Sequence, residues 1–536
     1  MRDLQSQYAN QQRLIAALRE PRRYPHAARS VEVIETHISW VLLAGSYAYK
    51  IKKAVELGFL DYSTLPLRRA CCEEEIRLNR RTAPDLYLDT VAIGGSAEIP
   101  QFGVQPAIEY AVRMRRFASA DLMDKSLQRG RIAPRHIDDL AAAIARFHAA
   151  IPAAAAGAGF GTPASIRAAA MQNFEQLRVL LGDDADPDGI AALEAATEAE
   201  FVECRATFEA RAQQGFVREC HGDLHLGNIV LIGDRPTPFD CIEFNPGLRW
   251  IDVMDEIAFP VMDLLHRNRD ELAWRLLNAY LEAGGDYGGV AVLRFYLAYR
   301  AAVRAKVSAI RAAQSGVSRP ARVAALAACR SYLALARRCL GRYRPALIVT
   351  HGLPGSGKTT FSQLALQQLG AIRIRSDVER KRLFGLASLE SSRGDIYSAE
   401  ATQRTYARLH ELARGILLAG LPVIVDAAFL RREEREAFRL LAQDLSVPFA
   451  IASLQASDTV LRERVRQRRN DASEADVAVL HLLQAGQQPL TRSELACTAH
   501  FTTEEAPDSE TNARAWERFD GLLAAAARCS AGRQAK

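Results

Sequence analysis

Apolar runs along the chain predict two groups of strands. Residues 41–53 predict a hairpin whose second strand ends in lysines, and residues 110–117 predict a further strand. From residue 346 onward, apolar runs predict four more strands, at residues 346–350, 371–377, 421–426 and 449–454. A separate sheet is therefore expected in each part of the chain.

Helical patterns fill most of the remaining sequence. Residues 137–150, 165–215 and much of 251–342 are predicted to be helical. After residue 346 helices alternate with the strands, beginning with residues 360–369, which end at Gly370. This alternation is typical of an α/β domain with a parallel sheet.

The composition is that of an ordinary globular protein and does not by itself indicate a function. With 536 residues, 49% of them hydrophobic and 25% charged, the chain has enough material for two cores. Its net charge of +6 suits anionic nucleotides and does not by itself indicate nucleic acid. No run approaches the roughly 18 apolar residues of a membrane span, and the N-terminus lacks an apolar signal core. Nine cysteines show no C-x-x-C spacing, so we expect a cytoplasmic protein without a disulfide framework or zinc site.

A complete phosphate-binding loop, G-x-x-x-x-G-K-T, occupies residues 352–359 between a predicted strand and a predicted helix. Its glycines let backbone N–H groups surround a phosphate, and the helix N-terminus adds its dipole. Lys358 is predicted to reach the β and γ oxygens of ATP, and Thr359 to bind Mg²⁺. The predicted nucleotide contacts are Gly352, Leu353, Pro354, Gly355, Ser356, Gly357, Lys358, Thr359 and Thr360.

Carboxylates end two of the strands predicted after this loop. Asp377 ends the run at 371–377, and Asp426 ends the run at 421–426. Ligands of open parallel sheets bind beyond the carboxyl ends of the strands, so both side chains are expected at the reaction. We predict that Asp377 activates the accepting hydroxyl, with a helix N-cap as its structural alternative. Asp426 is predicted to hold Mg²⁺, as on a Walker B strand.

A second phosphoryl-transfer signature precedes the phosphate loop. His221 to Asn228 have the spacing H-x-D-x-x-x-x-N, and Asp240 follows. In this pattern Asp223 accepts the proton of the substrate hydroxyl, while Asn228 and Asp240 bind Mg²⁺. The intervening residues predict a hairpin that brings Asn228 beside Asp240, as a site of hard oxygen ligands requires.

This loop resembles the catalytic loop of the aminoglycoside phosphotransferase (choline-kinase-like) superfamily. The resemblance to that superfamily would extend over roughly residues 30–340. The resemblance implies an α+β protein-kinase-like fold, ATP and Mg²⁺ as cofactors, and an N-lobe lysine paired with a helix glutamate. Lys52 fits the lysine, with Lys50 as the alternative on the same strand face. Residues 110–117 then approximate the hinge strand that meets adenine.

Alternatives remain for the glutamate that pairs with the lysine and for the role of the segment that begins at Asp240. Glu75 fits the partner of the lysine, and Glu73 and Glu74 are its rivals. The sequence departs from the kinase pattern, because no G-x-G-x-x-G loop precedes the lysine strand. The metal-binding aspartate lies in D-C-I-E instead of D-F-G, and Glu243 of that segment is either a second metal ligand or an ordinary polar residue.

The D-x-x-R pair of Asp377 and Arg380 resembles that of small P-loop kinases such as polynucleotide kinases and zeta-type toxins. The resemblance implies that Asp377 activates the acceptor. The arginine-rich helix after residue 454 looks like a lid, and Arg462 and Arg466 are our candidates for neutralising charge on the γ-phosphoryl group. Its other arginines are Arg464, Arg468 and Arg469.

Two domains are predicted on these grounds. Residues 1–342 form a kinase-like domain, with an N-lobe at about 30–117 and a C-lobe at about 118–342, and residues 343–528 form an α/β P-loop kinase domain. The predicted function is a bifunctional ATP-dependent phosphotransferase acting on a small-molecule hydroxyl. One alternative is a nucleotide-controlled switch with little or no transfer. Another is an RNA-end kinase, ranked lower because aromatic residues near the lid are sparse.

Overall fold

The computed structural model describes residues 2–531, with the exception of positions 59, 156, 315, 342, 389, 393–395, 468–471 and 507. The chain divides into two compact units, Met1–Ile166 with Phe208–Asp263, and Arg167–Thr207 with Leu264–Lys536. The predicted boundary after residue 342 stays a prediction, and residue 342 lies outside the described residues. No helix of the described part is both long and apolar enough to cross a membrane.

The first half of the chain carries twelve of the described strands and seven of the described α-helices. The strands are β1 Val31–Glu35, β2 Ser39–Ala44, β3 Tyr47–Lys52, β4 Glu56–Leu57, β5 Leu60–Asp61, β6 Tyr87–Gly95, β7 Pro100–Phe102, β8 Ala107–Arg115, β9 Val217–Glu219, β10 Ile229–Ile232, β11 Arg235–Pro238 and β12 Trp250–Asp252. The helices are α1 Arg2–Ala17, α2 Leu65–Asn79, α3 Met123–Gln128, α4 Pro134–Ala150, α5 Pro163–Leu181, α6 Pro187–Gln213 and α7 Val253–His266.

Six of these strands form an antiparallel sheet in the order β1-β2-β3-β8-β6-β7. Side chains alternate between the two faces of a strand. On β3, Tyr49 and Ile51 pack in the core that includes Leu14 of α1 and Leu18, which directly follows this helix. Ala48 faces the other way, into the core that contains Ile76 of α2. Polar side chains on the α2 face of β3 are therefore directed at that helix.

The predicted hairpin after the catalytic loop is present. Strands β10 and β11 pair antiparallel, with Ile229 opposite Pro238. The Phe239 N–H donates to the Asn228 carbonyl at 3.0 Å, so the residues just outside the hairpin also meet. The hairpin thus places Asn228 and Asp240 at the same end, as predicted.

The second half of the chain contains the remaining elements. Its strands are β13 Leu347–His351, β14 Ile372–Arg375, β15 Val423–Asp426, β16 Phe449–Gln455 and β17 Thr498–Thr502. Its helices are α8 Asp270–Gly284, α9 Val290–Ala313, α10 Arg319–Leu340, α11 Lys358–Leu369, α12 Ser376–Leu383, α13 Ala399–Leu418, α14 Arg432–Asp444, α15 Asp458–Gln467, α16 Val477–Gly486, α17 Arg492–Ala496 and α18 Glu510–Ala531.

These five strands form a parallel sheet in the order β14-β15-β13-β16-β17. The central strand β13 is buried along its whole length, which explains why its sequence is a continuous apolar run. The parallel α/β fold expected from the alternation of strands and helices is confirmed. Strand β17 was not anticipated, because its sequence Thr-Ala-His-Phe-Thr has no extended apolar run.

Candidate active sites

Glu75 on α2 bridges two lysines of β3. Its Oε1 accepts a hydrogen bond from Lys50 Nζ at 2.9 Å, and its Oε2 accepts one from Lys52 Nζ at 2.7 Å. The rival Glu73 pairs with Arg69 at the surface, and Glu74 pairs with Arg77. The structure therefore brings Glu75, and neither rival, to the lysine strand.

The two lysines differ in their remaining partners. Lys50 Nζ lies 2.5 Å from Asp240 Oδ1, whereas Lys52 Nζ donates to Glu243 and to the hydroxyl of Tyr62. The Lys50 side chain is 11% exposed, and that of Lys52 is 1% exposed. Lys50 thus lies between Glu75 and the candidate metal ligand, and Lys52 lies deeper, with Glu243.

These ion pairs keep both lysines charged despite their burial. Burial acts to lower the pKa of Lys50, but the carboxylates of Asp240 and Glu75 raise it well above its usual value. For Lys52, Glu243 and Glu75 outweigh burial in the same way. Conversely, Lys50 holds the pKa of Asp240 below its usual value against the effect of burial. Lys50, Lys52 and Asp240 are therefore charged at neutral pH.

Asp223 and Asn228 are in direct contact in the catalytic loop. The amide nitrogen of Asn228 donates to Asp223 Oδ2 at 2.9 Å and to the Asp223 carbonyl at 3.0 Å. The Asp223 side chain is 36% exposed, so a hydroxyl-bearing molecule can reach it from solvent. His225 Nδ1 accepts the Gly227 N–H at 3.0 Å, a packing role within the loop.

A buried glutamate on α7 anchors this loop from behind. The two carboxylate oxygens of Glu256 accept the backbone N–H groups of His221 and Gly222, at 2.7 and 2.8 Å. Burial alone would raise the pKa of Glu256, but hydrogen bonding to His148 and the charge of His221 lower it to about 2. Gly222 has φ +88°, and a Cβ there would lie 2.7 Å from the Leu248 carbonyl. Glu256 was not identified from the sequence, where nothing distinguishes it from the other acidic residues of α7, Asp255 and Asp263.

Backbone contacts also fix the position of Asp240. This residue has φ +66°, in the left-handed region that side chains rarely adopt. Its N–H donates to the hydroxyl of Tyr87 at 3.1 Å, and the next N–H, of Cys241, donates to Asn79 Oδ1 at 2.9 Å. Residues of β6 and α2 thus stabilise a strained conformation at the proposed metal ligand.

The phosphate loop joins β13 to α11, and α11 begins at Lys358. Lys358 Nζ donates to the carbonyls of Gly352 and Leu353 at 3.0 and 2.9 Å, so the ammonium group lies over the loop. A Cβ on Gly352 would lie 2.6 Å from the Leu454 carbonyl, and Gly352 has φ +151°. A Cβ on Gly357, at φ +85°, would lie 2.9 Å from Thr503. The loop conformation therefore requires glycine at both positions.

Asp426 lies at the end of β15, beside the first turns of α11. Its Oδ2 accepts a hydrogen bond from Ser362 Oγ at 2.9 Å, and the same hydroxyl lies 3.1 Å from the carbonyl oxygen of Thr359. The structure thus connects the predicted metal carboxylate to the threonine of the phosphate loop through one serine.

Asp377 and Arg380 both lie on α12, which directly follows β14. The N-cap of this helix is Arg375, so Asp377 is not the cap; it lies in the first turn, where its charge complements the helix dipole. Arg380 is buried, and its Nη1 donates to the Ile396 carbonyl at 2.9 Å and to Thr402 at 3.2 Å. Arg380 therefore contacts its own fold rather than projecting into solvent.

The arginines of α15 have different positions. Arg462 pairs with Asp458 one turn earlier at 2.5 Å, and Arg466 is exposed. Arg464 is the arginine of the described part of this helix that contacts the phosphate loop, because its Nη1 donates to the Gly355 carbonyl at 3.2 Å. The sequence analysis had not singled out Arg464. Arg468 and Arg469 lie outside the described residues.

Solved structures similar to parts of this chain include several kinases. Amicoumacin kinase hAmiN shares 12% identity and covers 62% of this chain and 96% of its own, with a TM-score of 0.38. A choline/ethanolamine kinase family protein from Mesorhizobium loti shares 15% identity over 57% of this chain and 92% of its own, with a TM-score of 0.32. A putative kinase from Chloroflexus aurantiacus shares 24% identity over 32% of this chain and 97% of its own, with a TM-score of 0.27. At these values the likeness carries no argument about activity.

The sequence itself gives firmer relationships. Residues 347–490 match the family described as AAA domain, which confirms the P-loop domain that the glycine motif predicts. The N-terminal part of the chain, with its antiparallel sheet, has the kinase-like fold class that the catalytic loop implies. Uncharacterized protein Rv2004c of Mycobacterium tuberculosis (strain H37Rv) and uncharacterized protein Mb2027c of Mycobacterium bovis are each 30% identical to this chain over 469 residues. These alignments span 85% of this chain and 90% of each relative, and the chain belongs to the family of these mycobacterial proteins.

Proposed function

We propose that this protein is a bifunctional phosphotransferase, in which each of two sites transfers the γ-phosphoryl group of ATP to a hydroxyl group of a small molecule. The observation that carries the proposal is the contact of Asp240 with Lys50 and of Asn228 with Asp223 around one hairpin. The complete phosphate loop with Asp426 beside it supports the second site. Kinase chemistry depends on positioning and charge neutralisation, and both sites supply these.

At the first site, Lys50 fits the phosphate-binding role better than Lys52. A nucleotide-binding lysine must exchange a protein partner for phosphate oxygens, and the partner of Lys50 is Asp240, itself a candidate metal ligand. Lys52 is enclosed by Glu75, Glu243 and Tyr62, so its exchange would leave buried charges unpaired. We assign Lys50 to the phosphates and Lys52 to the support of Glu75.

The oxygen ligands at the first site fit Mg²⁺. Asn228 and Asp240 offer an amide oxygen and a carboxylate at the same end of the hairpin, the hard ligands that this ion prefers. Mg²⁺ would offset the charge of the phosphates. Asp223, partly exposed and held by Asn228, would accept the proton of the substrate hydroxyl.

At the second site, Lys358 and the backbone N–H groups of the loop would bind the phosphates of ATP. Thr359 and Asp426 would hold Mg²⁺, and Ser362 keeps Asp426 near the loop. Asp377 follows the carboxyl end of β14 and would activate the acceptor. Arg464 contacts the loop at the Gly355 carbonyl, and we add it to Arg462 and Arg466 as a candidate for charge neutralisation.

Product labelling tests the proposal. The purified chain is incubated with γ-labelled ATP, Mg²⁺ and a mixed extract of metabolites and RNA, beside Asp223→Asn and Lys358→Ala variants. A labelled small molecule lost in one variant alone assigns transfer to that site. A labelled RNA end would show that the acceptor is RNA and not a small molecule. Release of free phosphate alone, unchanged in both variants, would contradict transfer and favour a nucleotide-controlled switch.

A further inference from the structure

A side chain of α8 covers the open edge of the parallel sheet. Strand β14 is the edge strand, and Asn278 pairs with its backbone as a neighbouring strand would. The amide nitrogen of Asn278 donates to the Ala371 carbonyl at 2.9 Å, and its Oδ1 accepts the Arg373 N–H at 2.7 Å. Beside the strand, Gly370 lies so near Trp274 of α8 that a Cβ would approach the indole ring to 2.8 Å. Helix α8 and the start of β14 are therefore fixed together.

One turn further along α8, Glu282 pairs with two arginines of the same strand. Its carboxylate oxygens accept from Arg373 Nη2 and from Arg375 Nη1, each at 3.0 Å. Burial acts to raise the pKa of Glu282, but the two guanidinium groups hold it below its usual value, so the carboxylate is charged. The side chain of Arg373 is only 7% exposed, so this ion pair is largely shielded from water.

From Arg373 the contacts lead to the phosphate-loop site. Arg373 Nη1 lies 3.5 Å from Ser362 Oγ, and Ser362 donates to Asp426 at 2.9 Å. Strand register also places Arg375 opposite Asp426. Two arginines and two carboxylates thus balance in charge around Ser362. If Glu282 lost its charge, the buried Arg373 would turn toward Asp426 as its compensating anion.

We propose that Asn278 and Glu282 are positioning residues of the P-loop site, which hold Arg373 away from Asp426 and keep that carboxylate free to bind Mg²⁺. The proposal rests on the metal-binding role assigned to Asp426 above. Helix α8 precedes the predicted boundary after residue 342, yet it belongs to the same compact unit as the phosphate loop. A helix from the kinase-like part of the sequence therefore completes the second site.

The test measures nucleotide binding, with the full-length chain, instead of turnover. Binding of a fluorescent ADP derivative is titrated with Mg²⁺, and the signal that disappears in Lys358→Ala is assigned to the P-loop site. In Glu282→Gln, we expect the half-saturating Mg²⁺ concentration of that signal to rise about tenfold, as for other residues that support metal ligands. The matched control is Glu271→Gln, since Glu271 lies on the same helix but pairs at the surface with Arg269. It should leave the Mg²⁺ dependence unchanged.

A second pair of variants separates positioning from loss of folding. Ser362→Ala removes the hydroxyl between Arg373 and Asp426 with little change in volume, and it should raise the Mg²⁺ requirement in the same direction. Arg373→Gln should restore normal Mg²⁺ dependence to Glu282→Gln, because no guanidinium then competes for Asp426. Unchanged Mg²⁺ dependence in both Glu282→Gln and Ser362→Ala would overturn the positioning role. If Lys358→Ala removed no binding signal, the proposed P-loop site itself would fail.

Discussion

The ammonium group of Lys50 lies 2.5 Å from the carboxylate of Asp240, although the two residues are 190 positions apart in the chain. This contact joins the N-lobe strand to the segment after the catalytic loop. A bound Mg²⁺–nucleotide complex would separate these two charges. Lys50 would then contact the phosphates, and Asp240 would bind Mg²⁺. In the proposed function, this contact marks the nucleotide side of the first site.

Replacing the two lysines of β3 should give different defects. Lys50→Met should lower first-site transfer by about 10²–10³-fold, since it removes a charge from the phosphates, and should leave the second site active. Lys52→Met should instead lower the free energy of unfolding by about 3–5 kcal/mol, because Glu243 and Glu75 lose a fully buried partner. Transfer assays and urea denaturation measure the two effects. Equal stability losses with equal transfer losses would contradict the division of roles.

Glu256→Gln tests the anchor of the catalytic loop. The substitution keeps the shape but removes the charge that accepts the N–H groups of His221 and Gly222. We expect kcat at the first site to fall while KM for ATP changes little, because Asp223 is displaced and the nucleotide contacts are not.

The pH dependence of unfolding provides an independent check on Glu256. Its pKa is lowered to about 2 in the folded state, so its stabilising contribution is complete above the usual carboxylate pKa. This contribution is lost as the pH falls from about 4.5 toward 2. A Glu256→Gln variant should lose this part of the acid dependence. A variant with the acid profile of the unaltered chain would refute the ionised anchor.

The lowered pKa of His351 predicts that the stability of the unit containing the phosphate loop depends on pH. This histidine lies at the end of β13, where burial, with the charges of Arg435 and Lys358, lowers its pKa to about 4. Its Nδ1 lies 3.2 Å from Ser453 Oγ, and its Nε2 is buried without a hydrogen-bond partner. Between pH 4 and 6.5 the unfolded chain binds this proton and the folded chain does not, so stability falls as the pH is lowered. As the pH is lowered through this range, the free energy of unfolding of the unaltered chain should fall by about 2–3 kcal/mol because of His351. Acid unfolding of His351→Gln should lack this loss.

The sequence predicts those parts of the candidate sites whose residues lie close together in the chain. The phosphate loop and the catalytic loop are local motifs, so their glycines and Asp223, Asn228 and Lys358 could be named without a structure. The sequence favoured Lys52 over Lys50 for the phosphates, whereas our proposal assigns Lys50, because both lysines face α2 and only distant carboxylates distinguish them. Periodicity placed both residues correctly on the same face.

The supporting residues were missed for a related reason. Glu256 bonds to backbone groups 34 and 35 positions away, and Asn278 to groups 93 and 95 positions away. Nothing in a local pattern distinguishes such a side chain from a surface one. Arg464 was passed over because five arginines share one segment and periodicity alone does not say which faces the loop.

The proposed function requires two separate nucleotide sites on one chain. The most direct measurement is the stoichiometry of a non-hydrolysable ATP analogue with Mg²⁺, determined by calorimetry on the unaltered chain and on Lys358→Ala and Asp240→Asn variants. We expect two molecules bound per chain, falling to one in each variant and to none when both substitutions are combined. A single molecule bound to the unaltered chain, abolished by either substitution alone, would contradict the proposed function.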